Sequence, residues 1–314
     1  TQEECYNKIN KLKNRKAAGP DNICAELIKY GGEELKQRIY KLITQIWEKE
    51  KMPSDWKSGI IIPVYKKGEQ KRCENYRGIS LLNAAYKVLT QLILERLKEY
   101  TNTEIGEYQH GFRQGRSTVD AIFTLNQIIE KCYENNVELQ IVFIDFKQAF
   151  DSLKRSIIYK DAEEMGIPNK LVKLIKMTME GSRTTILSHE GMSKEFEFNK
   201  GVKQGDGLSA IIFNMALEGT IRKCRIKGSI IEKSVQIIAY ADDIAVIARD
   251  RESLTEAMSK IENEARKRGL VINQDKTKYM EIKKKKGKTS ETTIGNNTFE
   301  EVENFKYLGT IINS

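Results

Sequence analysis

The 314-residue chain carries 53 Lys+Arg against 44 Asp+Glu, a formal charge of +9, with 39% hydrophobic and 31% charged residues. That is enough apolar matter for a sizeable core, and the positive bias favours a polyanionic partner. No apolar run approaches the roughly 18–20 residues that cross a bilayer, and the acidic start Thr1-Gln2-Glu3-Glu4-Cys5 is no signal peptide and has no initiator Met, as a fragment would.

Residues 1–50 read as helical. Asp21 or Asn22 is placed to cap a helix carrying Ile23, Leu27 and Ile28. A second helix carries Leu35, Ile39, Leu42, Ile43, Ile46 and Trp47 at three- and four-residue spacings. The Gly19-Pro20 pair marks 16–21 as a loop. Residues 56–67 predict a strand ending in two lysines, 84–99 and 118–135 amphipathic helices, and 140–146 a short buried strand. Helices run on to about residue 180, and a strand pair over 183–198 turns at His189-Glu190-Gly191. A helix over 207–224 follows a Gly-rich turn, then a hairpin over 235–240 and 244–248, then a charged helix over 252–268. Residues 270–273, 278–282 and 305–312 read as strands, and Lys283-Lys284-Lys285-Lys286-Gly287-Lys288 as a solvated charge run. The order is α+β, without strict alternation of strand and helix.

Five widely spaced cysteines, with no Cys-x-x-Cys, argue against a disulfide framework or zinc site and for a reducing, intracellular setting. His110 and His189 are too few and too far apart for a histidine metal site or a Ser-His-Asp triad, so carboxylates must carry any metal chemistry. Asp242-Asp243 interrupts an otherwise apolar stretch, which makes sense at a hairpin turn on a sheet edge. Asp145 likewise ends the apolar run Ile141-Val142-Phe143-Ile144. If both segments share one sheet, three carboxylates converge. Such charge is tolerated when cations neutralise it, and two Mg²⁺ roughly 3.5–4 Å apart are the usual arrangement for in-line phosphoryl displacement. Taken alone, an Asp-Asp pair in a turn is usually a cap or a turn residue.

The flanking segments carry a resemblance. Asp145-Phe146-Lys147-Gln148-Ala149-Phe150-Asp151, Gly201-Val202-Lys203-Gln204-Gly205-Asp206-Gly207-Leu208-Ser209 and Ala239-Tyr240-Ala241-Asp242-Asp243 resemble, in that order, palm motifs A, B and C of reverse transcriptases. Ile62-Pro63-Val64-Tyr65-Lys66-Lys67-Gly68, Asn75-Tyr76-Arg77-Gly78-Ile79-Ser80-Leu81-Leu82 and Gln109-His110-Gly111-Phe112-Arg113-Gln114-Gly115-Arg116-Ser117-Thr118 resemble fingers motifs. The segment 269–278 resembles motif D, and Phe305-Lys306-Tyr307-Leu308-Gly309 resembles motif E. The set covers roughly residues 16–312 and is most similar to non-LTR (LINE-type) retrotransposons, RTE- or Jockey-like.

The resemblance implies a right-hand polymerase of fingers (1–135) and palm (136–314), an antiparallel palm sheet backed by helices, with thumb and endonuclease absent. It implies RNA-templated addition of dNTPs to a DNA primer, assisted by two Mg²⁺ for which Mn²⁺ can substitute. Asp145, Asp242 and Asp243 become metal ligands, with the Phe146 carbonyl completing one shell. Phe150 matches the bulky residue that excludes a ribose 2′-OH. Arg77 and Lys66 or Lys67 match the cations that grip the triphosphate, as a guanidinium can do bidentately. Gln204 and Gly205 match the loop on the nucleotide and template, and Lys276 the lysine that protonates pyrophosphate. Bland alternatives stand beside these: Phe150 as core, Arg77 in an ion pair, Lys278 in the place of Lys276, Asp151 as a helix cap and Asp206 as a loop brace. Motif B departs from many relatives in having Gly207 and Ala210 where they carry proline. The nucleus is the implied site of action; no membrane role is implied, and the oligomeric state is open. The rivals are a nucleic-acid-binding relic that does not polymerise and another palm-type two-metal enzyme such as a nucleotidyl cyclase, against which the fingers cations and motif B glycines speak.

Overall fold

The computed structural model describes residues 1–224, 235–283 and 291–314. The chain begins with α1 (Gln2–Asn10), opened by a Thr1/Glu4 capping box, then α2 (Ala25–Tyr30) and α3 (Gly32–Lys49), whose Ile39, Ile43 and Ile46 form one buried stripe. Strands β1 (Ser58–Tyr65) and β2 (Tyr76–Leu81) precede α4 (Ala84–Glu104). Helix α5 (Thr118–Glu134) starts on a Ser117/Asp120 capping box and buries Ala121 and Leu125. Then come β3 (Leu139–Ile144), α6 (Ala149–Ser152), α7 (Arg155–Glu164), α8 (Asn169–Met179), β4 (Arg183–Ser188), β5 (Gly191–Met192) and β6 (Phe196–Glu197). Helix α9 (Gly207–Lys223), the hairpin β7 (Val235–Tyr240) and β8 (Asp243–Ala248), and α10 (Arg251–Lys267) follow. The last strands are β9 (Lys278–Ile282), β10 (Glu291–Ile294), β11 (Asn297–Glu301), β12 (Asn304–Tyr307) and β13 (Thr310–Asn313).

Two compact units result, each made of two stretches: Thr1–Glu104 with Ile158–Ile212, and Ile105–Ile157 with Phe213–Ser314. They do not follow a single cut at 135/136. In the first unit β2, β1, β4 and β5 are neighbours in that order, β6 also pairs with β4, and β1 runs parallel to β4. In the second unit the order is β10-β11-β9-β3-β8-β7. This sheet is antiparallel except where β11 runs parallel to β9, a correction to the all-antiparallel expectation. Strand β3 is buried along its whole length, hence its unbroken Leu-Gln-Ile-Val-Phe-Ile sequence. Ile141 and Phe143 of β3, Ala245 and Ile247 of β8, Met280 of β9, Leu125 of α5 and Tyr307 of β12 share one core. Among the described residues no helix is long and apolar enough to cross a membrane.

Several expectations about elements are corrected. Asn22 has φ +56 and cannot cap a helix; α2 starts after Cys24, while the Asp21 carboxylate accepts the Ile23 N–H at 3.0 Å. Asp151 lies inside α6, within motif A, ahead of α7. Residues 270–273 supply only one bridge, Ile272 to Phe146. The single strand expected over 305–312 is the β12–β13 hairpin, turned by Leu308 (φ +48) and Gly309 (φ +93). The β10–β11 hairpin, turned by Gly295-Asn296, was not among the expected elements. Of the lysine run, 284–288 lie outside the described residues, and Lys283 pairs with Glu281.

Helix α10 ends in a Schellman motif: the Leu270 N–H donates to the Ala265 carbonyl (2.9 Å) and that of Gly269 to Arg266 (3.1 Å). Gly269 has φ +90, and a Cβ there would stand 2.2 Å from the Ser152 carbonyl oxygen. Gly269→Ala is expected to cost roughly 2–4 kcal/mol, strain and clash together, read from urea unfolding midpoints; an unchanged midpoint contradicts this close approach.

Candidate functional site

Strands β7 and β8 are joined by the two-residue turn Ala241-Asp242, with Tyr240 paired to Asp243. Tight hairpin turns need positive φ, and Ala241 has φ +55. On the other side of β8 lies β3, antiparallel, its last pair being Ile144 with Ile244. Carried one residue further, this register sets Asp145 opposite Asp243. Opposed residues in such a pair hold their Cβ atoms about 4.5–5.5 Å apart. The charges feel each other. The Asp243 carboxyl is pushed up from an ordinary 3.8 to about 6, first by loss of solvent around it and then by the charges of Asp242 and Asp145.

Asp145 is held by the segment before β9. Its N–H donates to Thr277 Oγ1 (3.1 Å), its carbonyl accepts the Asn273 N–H (2.8 Å), and its Oδ2 accepts from Asn273 Nδ2 (3.2 Å). Phe146 lies opposite Ile272 between the bonds Lys147 N–H to Val271 and Asn273 N–H to Asp145. That is the non-hydrogen-bonded position, so the Phe146 carbonyl is directed away from 271–273. These oxygen donors suit a hard divalent cation, and the crowding at Asp243 is what a cation would relieve. Among the described residues no group of three His, Cys, Asp or Glu already stands in metal-holding geometry. Register brings the acids to one edge of the sheet.

The turn has further supports that the sequence reading missed. Gln109 Oε1 accepts from the Ala241 N–H (2.9 Å) and the Gly111 N–H (2.8 Å). Main-chain bonds of 2.8 Å, from Ala239 N–H to Tyr108 and from His110 N–H to Ala239, fix this segment against β7. The segment 109–118, expected in the fingers, thus begins on the sheet that carries Asp145. One stripe of α9 anchors it: Asn214 Nδ2 donates to the Gly111 carbonyl (2.8 Å), and Glu218 accepts from the Tyr108 hydroxyl (2.7 Å) and the Gly106 N–H (2.9 Å). From β12 the Tyr307 hydroxyl donates to the carbonyls of Asp243 (3.3 Å) and Ile238 (3.4 Å). The four-residue spacing of Asn214 and Glu218 was visible in the sequence; their partners were not.

Lys276 is exposed on the turn between Asn273 and Thr277, the two residues that hold Asp145. Lys278 is committed instead, to Glu300 and to the Asp275 carbonyl, each at 2.6 Å. Phe150, half-buried on α6, stacks on Phe213 with ring centroids 4.8 Å apart.

The remaining candidates belong to the first unit. Lys66 and Lys67 follow β1, and Arg77 pairs with Val64 across β2; all three are exposed at one end of the hairpin. Strand alternation puts Lys66 on the face of Val64 and Arg77. The Ser80 N–H, further along β2, donates to the Gln204 carbonyl (2.6 Å). Gly205 has φ +113, and a Cβ there would stand 2.8 Å from the Ser80 oxygen. Asp206 braces this loop, as expected, accepting the Tyr86 hydroxyl (2.9 Å) and the Leu208 N–H (3.1 Å).

The raised Asp243 carboxyl sets a pH dependence. Between pH 3.8 and about 6 the folded chain holds a proton that the unfolded chain releases. The stability from neutral Asp243 is therefore full below that window and lost as pH rises through it. Asp243→Asn keeps the site neutral; because the side chain is exposed, screening trims the effect, so without divalent metal it is expected to raise Tm slightly at pH 7.5 and hardly at pH 4. Thermal melts in chelator at both values check this; a larger gain at pH 4 reverses the sign.

A family model for reverse transcriptases (RNA-dependent DNA polymerases) matches residues 64–312. The RNA-directed DNA polymerase from mobile element jockey of Drosophila melanogaster is 26% identical over 98% of this chain and 34% of its own length. The probable RNA-directed DNA polymerase from transposon X-element of the same fly is 28% identical over 77% of this chain and 26% of its length. The chain thus spans about a fifth to a third of the curated relatives it matches. A structure of telomerase from Candida tropicalis in complex with a TWJ fragment of telomeric RNA superposes with a TM-score of 0.57 at 15% identity, covering 82% of this chain and 46% of that one. This supports a polymerase fold of mixed α/β type. The chain belongs to the reverse transcriptase family, among the reverse transcriptases of non-LTR retrotransposons.

Proposed function

We propose that this chain is the nucleotide-adding core of a LINE-type RNA-directed DNA polymerase, extending a DNA primer on an RNA template by addition of dNTPs. The observation that carries the reading is the register of β3 on β8, which sets Asp145 against the Ala241-Asp242 turn and Asp243. The second unit takes the role of palm. Asp145, Asp242 and Asp243 supply carboxylate oxygens, and the Phe146 carbonyl another, to divalent cations; two Mg²⁺ are proposed, with Mn²⁺ as substitute. When bound, such ions stabilise charge at a reacting phosphate. Lys276 offers an ammonium to stabilise or protonate the departing pyrophosphate. Phe150, braced by Phe213, sets a steric limit at the sugar C2′.

For the first unit, the role of fingers is proposed. Lys66, Lys67 and Arg77 bind triphosphate oxygens. Gln204 and Gly205 offer backbone and amide to the nascent base pair, and the left-handed Gly205 permits a close approach. The +9 charge suits an RNA–DNA duplex held by its phosphates, with affinity that falls as salt rises. A second reading is a nucleic-acid-binding relic without synthesis, against which the three intact carboxylates speak. Expected work is nuclear, on chromosomal primer ends.

Primer extension on poly(rA)/oligo(dT) with Mg²⁺ separates the two readings. The parent chain is expected to extend the primer, and Asp242→Asn to lose at least about 10³-fold in rate, comparable to loss of a key transition-state contact, with duplex binding retained. Binding of the duplex without metal-dependent product favours the relic; equal synthesis by both proteins removes Asp242 from the site. In the same assay Phe150→Ala is expected to raise ribonucleotide over deoxynucleotide incorporation by at least about tenfold, a steric discrimination of about 1.4 kcal/mol. An unchanged ratio makes Phe150 plain core.

A further inference from the structure

We propose that Gln109 is a positioning residue of the Ala241-Asp242 turn: its buried carboxamide oxygen fixes the left-handed Ala241 and so sets the direction in which the Asp242 carboxylate is presented. The inference rests on the proposed catalytic role of that turn.

The turn requires Ala241 to hold φ +55, a region that L-residues enter at a cost. Something outside the turn must make that conformation the stable one. Gln109 is the side chain in place to do so. Its Oε1 accepts the Ala241 N–H at 2.9 Å across 132 residues of sequence, and the Gly111 N–H at 2.8 Å. One oxygen thereby ties the turn to the neighbouring main chain with both its acceptor sites used. Gln109 is fully buried, and the bonds joining Tyr108 and His110 to Ala239 bracket its backbone, so the amide cannot swing aside. The approach is close enough that a Cβ on Gly111 would stand 2.5 Å from the Ala241 nitrogen. Behind it, Asn214 and Glu218 of α9 hold residues 106–111 by side-chain bonds, which makes the clamp part of a rigid frame.

The residue type fits the task. A glutamate would accept the same two N–H groups but would add a negative charge beside a turn that already crowds Asp242 and Asp243. A hydrophobic residue of equal volume would fill the space and leave the Ala241 N–H without its buried acceptor. A glutamine that merely packed the core would gain nothing from directing its oxygen at the one left-handed residue of the turn. Gln109 touches no reacting atom in this scheme; it acts through Asp242.

The experiment compares the parent chain with Gln109→Met, which keeps the volume and removes the acceptor, and Gln109→Glu, which keeps the acceptor. Amide hydrogen exchange at Ala241 reads the clamp directly. The parent is expected to show at least tenfold protection over a free peptide, Gln109→Met to lose it and Gln109→Glu to recover it. Mn²⁺ titration by water-proton relaxation is expected to show at least fivefold weaker binding in Gln109→Met. In single-nucleotide addition its kcat is expected to fall at least tenfold, with KM for dNTP within twofold and an unchanged urea midpoint. A folded Gln109→Met whose Ala241 protection and Mn²⁺ affinity stay within twofold of the parent overturns the proposal. Should Gln109→Met fail to fold, an unprotected Ala241 amide in the parent overturns it equally. A parent chain that makes no DNA but shows the exchange pattern refutes the catalytic reading and leaves the clamp standing.

Discussion

The pairing of β3 with β8 is the constraint on which the second unit depends. Both strands are almost wholly buried, so their polar main-chain groups must be satisfied within the sheet. Their side chains admit one register, because a slip of a single residue would exchange the two faces of each strand. In the observed register the ends of both strands coincide at one edge, and the acids stand at those ends. A burial requirement thus does the gathering of charge. The same edge imposes the electrostatic cost seen at Asp243, whose carboxyl is driven towards the neutral form by its surroundings.

Where the ladder stops, side chains take over the work of satisfying the backbone. The Thr277 hydroxyl takes the N–H of Asp145 and the Asn273 amide its carboxylate, while the Asn273 main-chain N–H takes its carbonyl; Gln109 takes the N–H of Ala241, and Tyr307 reaches the carbonyl of Asp243. Each comes from a different stretch of chain: the loop before β9, the segment after α4, and β12. A site whose Asp145, Ala241 and Asp243 are each held from a separate element can keep its direction without a long loop. It also explains why residues with no chemistry of their own sit close to the acids.

In the first unit the logic is that of a hairpin with a stiff stem. The Tyr65 and Tyr76 rings lie 5.5 Å apart across the last strand pair, and the Lys66 N–H donates to the Asn75 carbonyl at 2.8 Å. The hairpin therefore presents Lys66 and Arg77 from an ordered base. The loop carrying Gln204 and Gly205 is joined to the same strand at Ser80, and Asp206 with Tyr86 anchors its far end.

The sequence by itself determined most of the element order, the hairpin around Ala241-Asp242, and the acids at strand ends, because burial writes periodicity and its interruptions into adjacent residues. It also carried the family, since the motif segments are contiguous. It left out what contiguity does not record. Residues 109–118 were placed with the fingers on their resemblance to a fingers motif, and main-chain bonds to Ala239 tie their start to β7. The hairpin at 308–309 and the parallel β11–β9 pair turn on backbone dihedrals and on strand neighbours that no local pattern encodes. Only the tertiary structure decided that a glutamine would hold the turn and that Asn273 and Thr277 would hold Asp145. Those hydrogen bonds join residues more than a hundred positions apart, and their geometry exists only once the sheet has set the register.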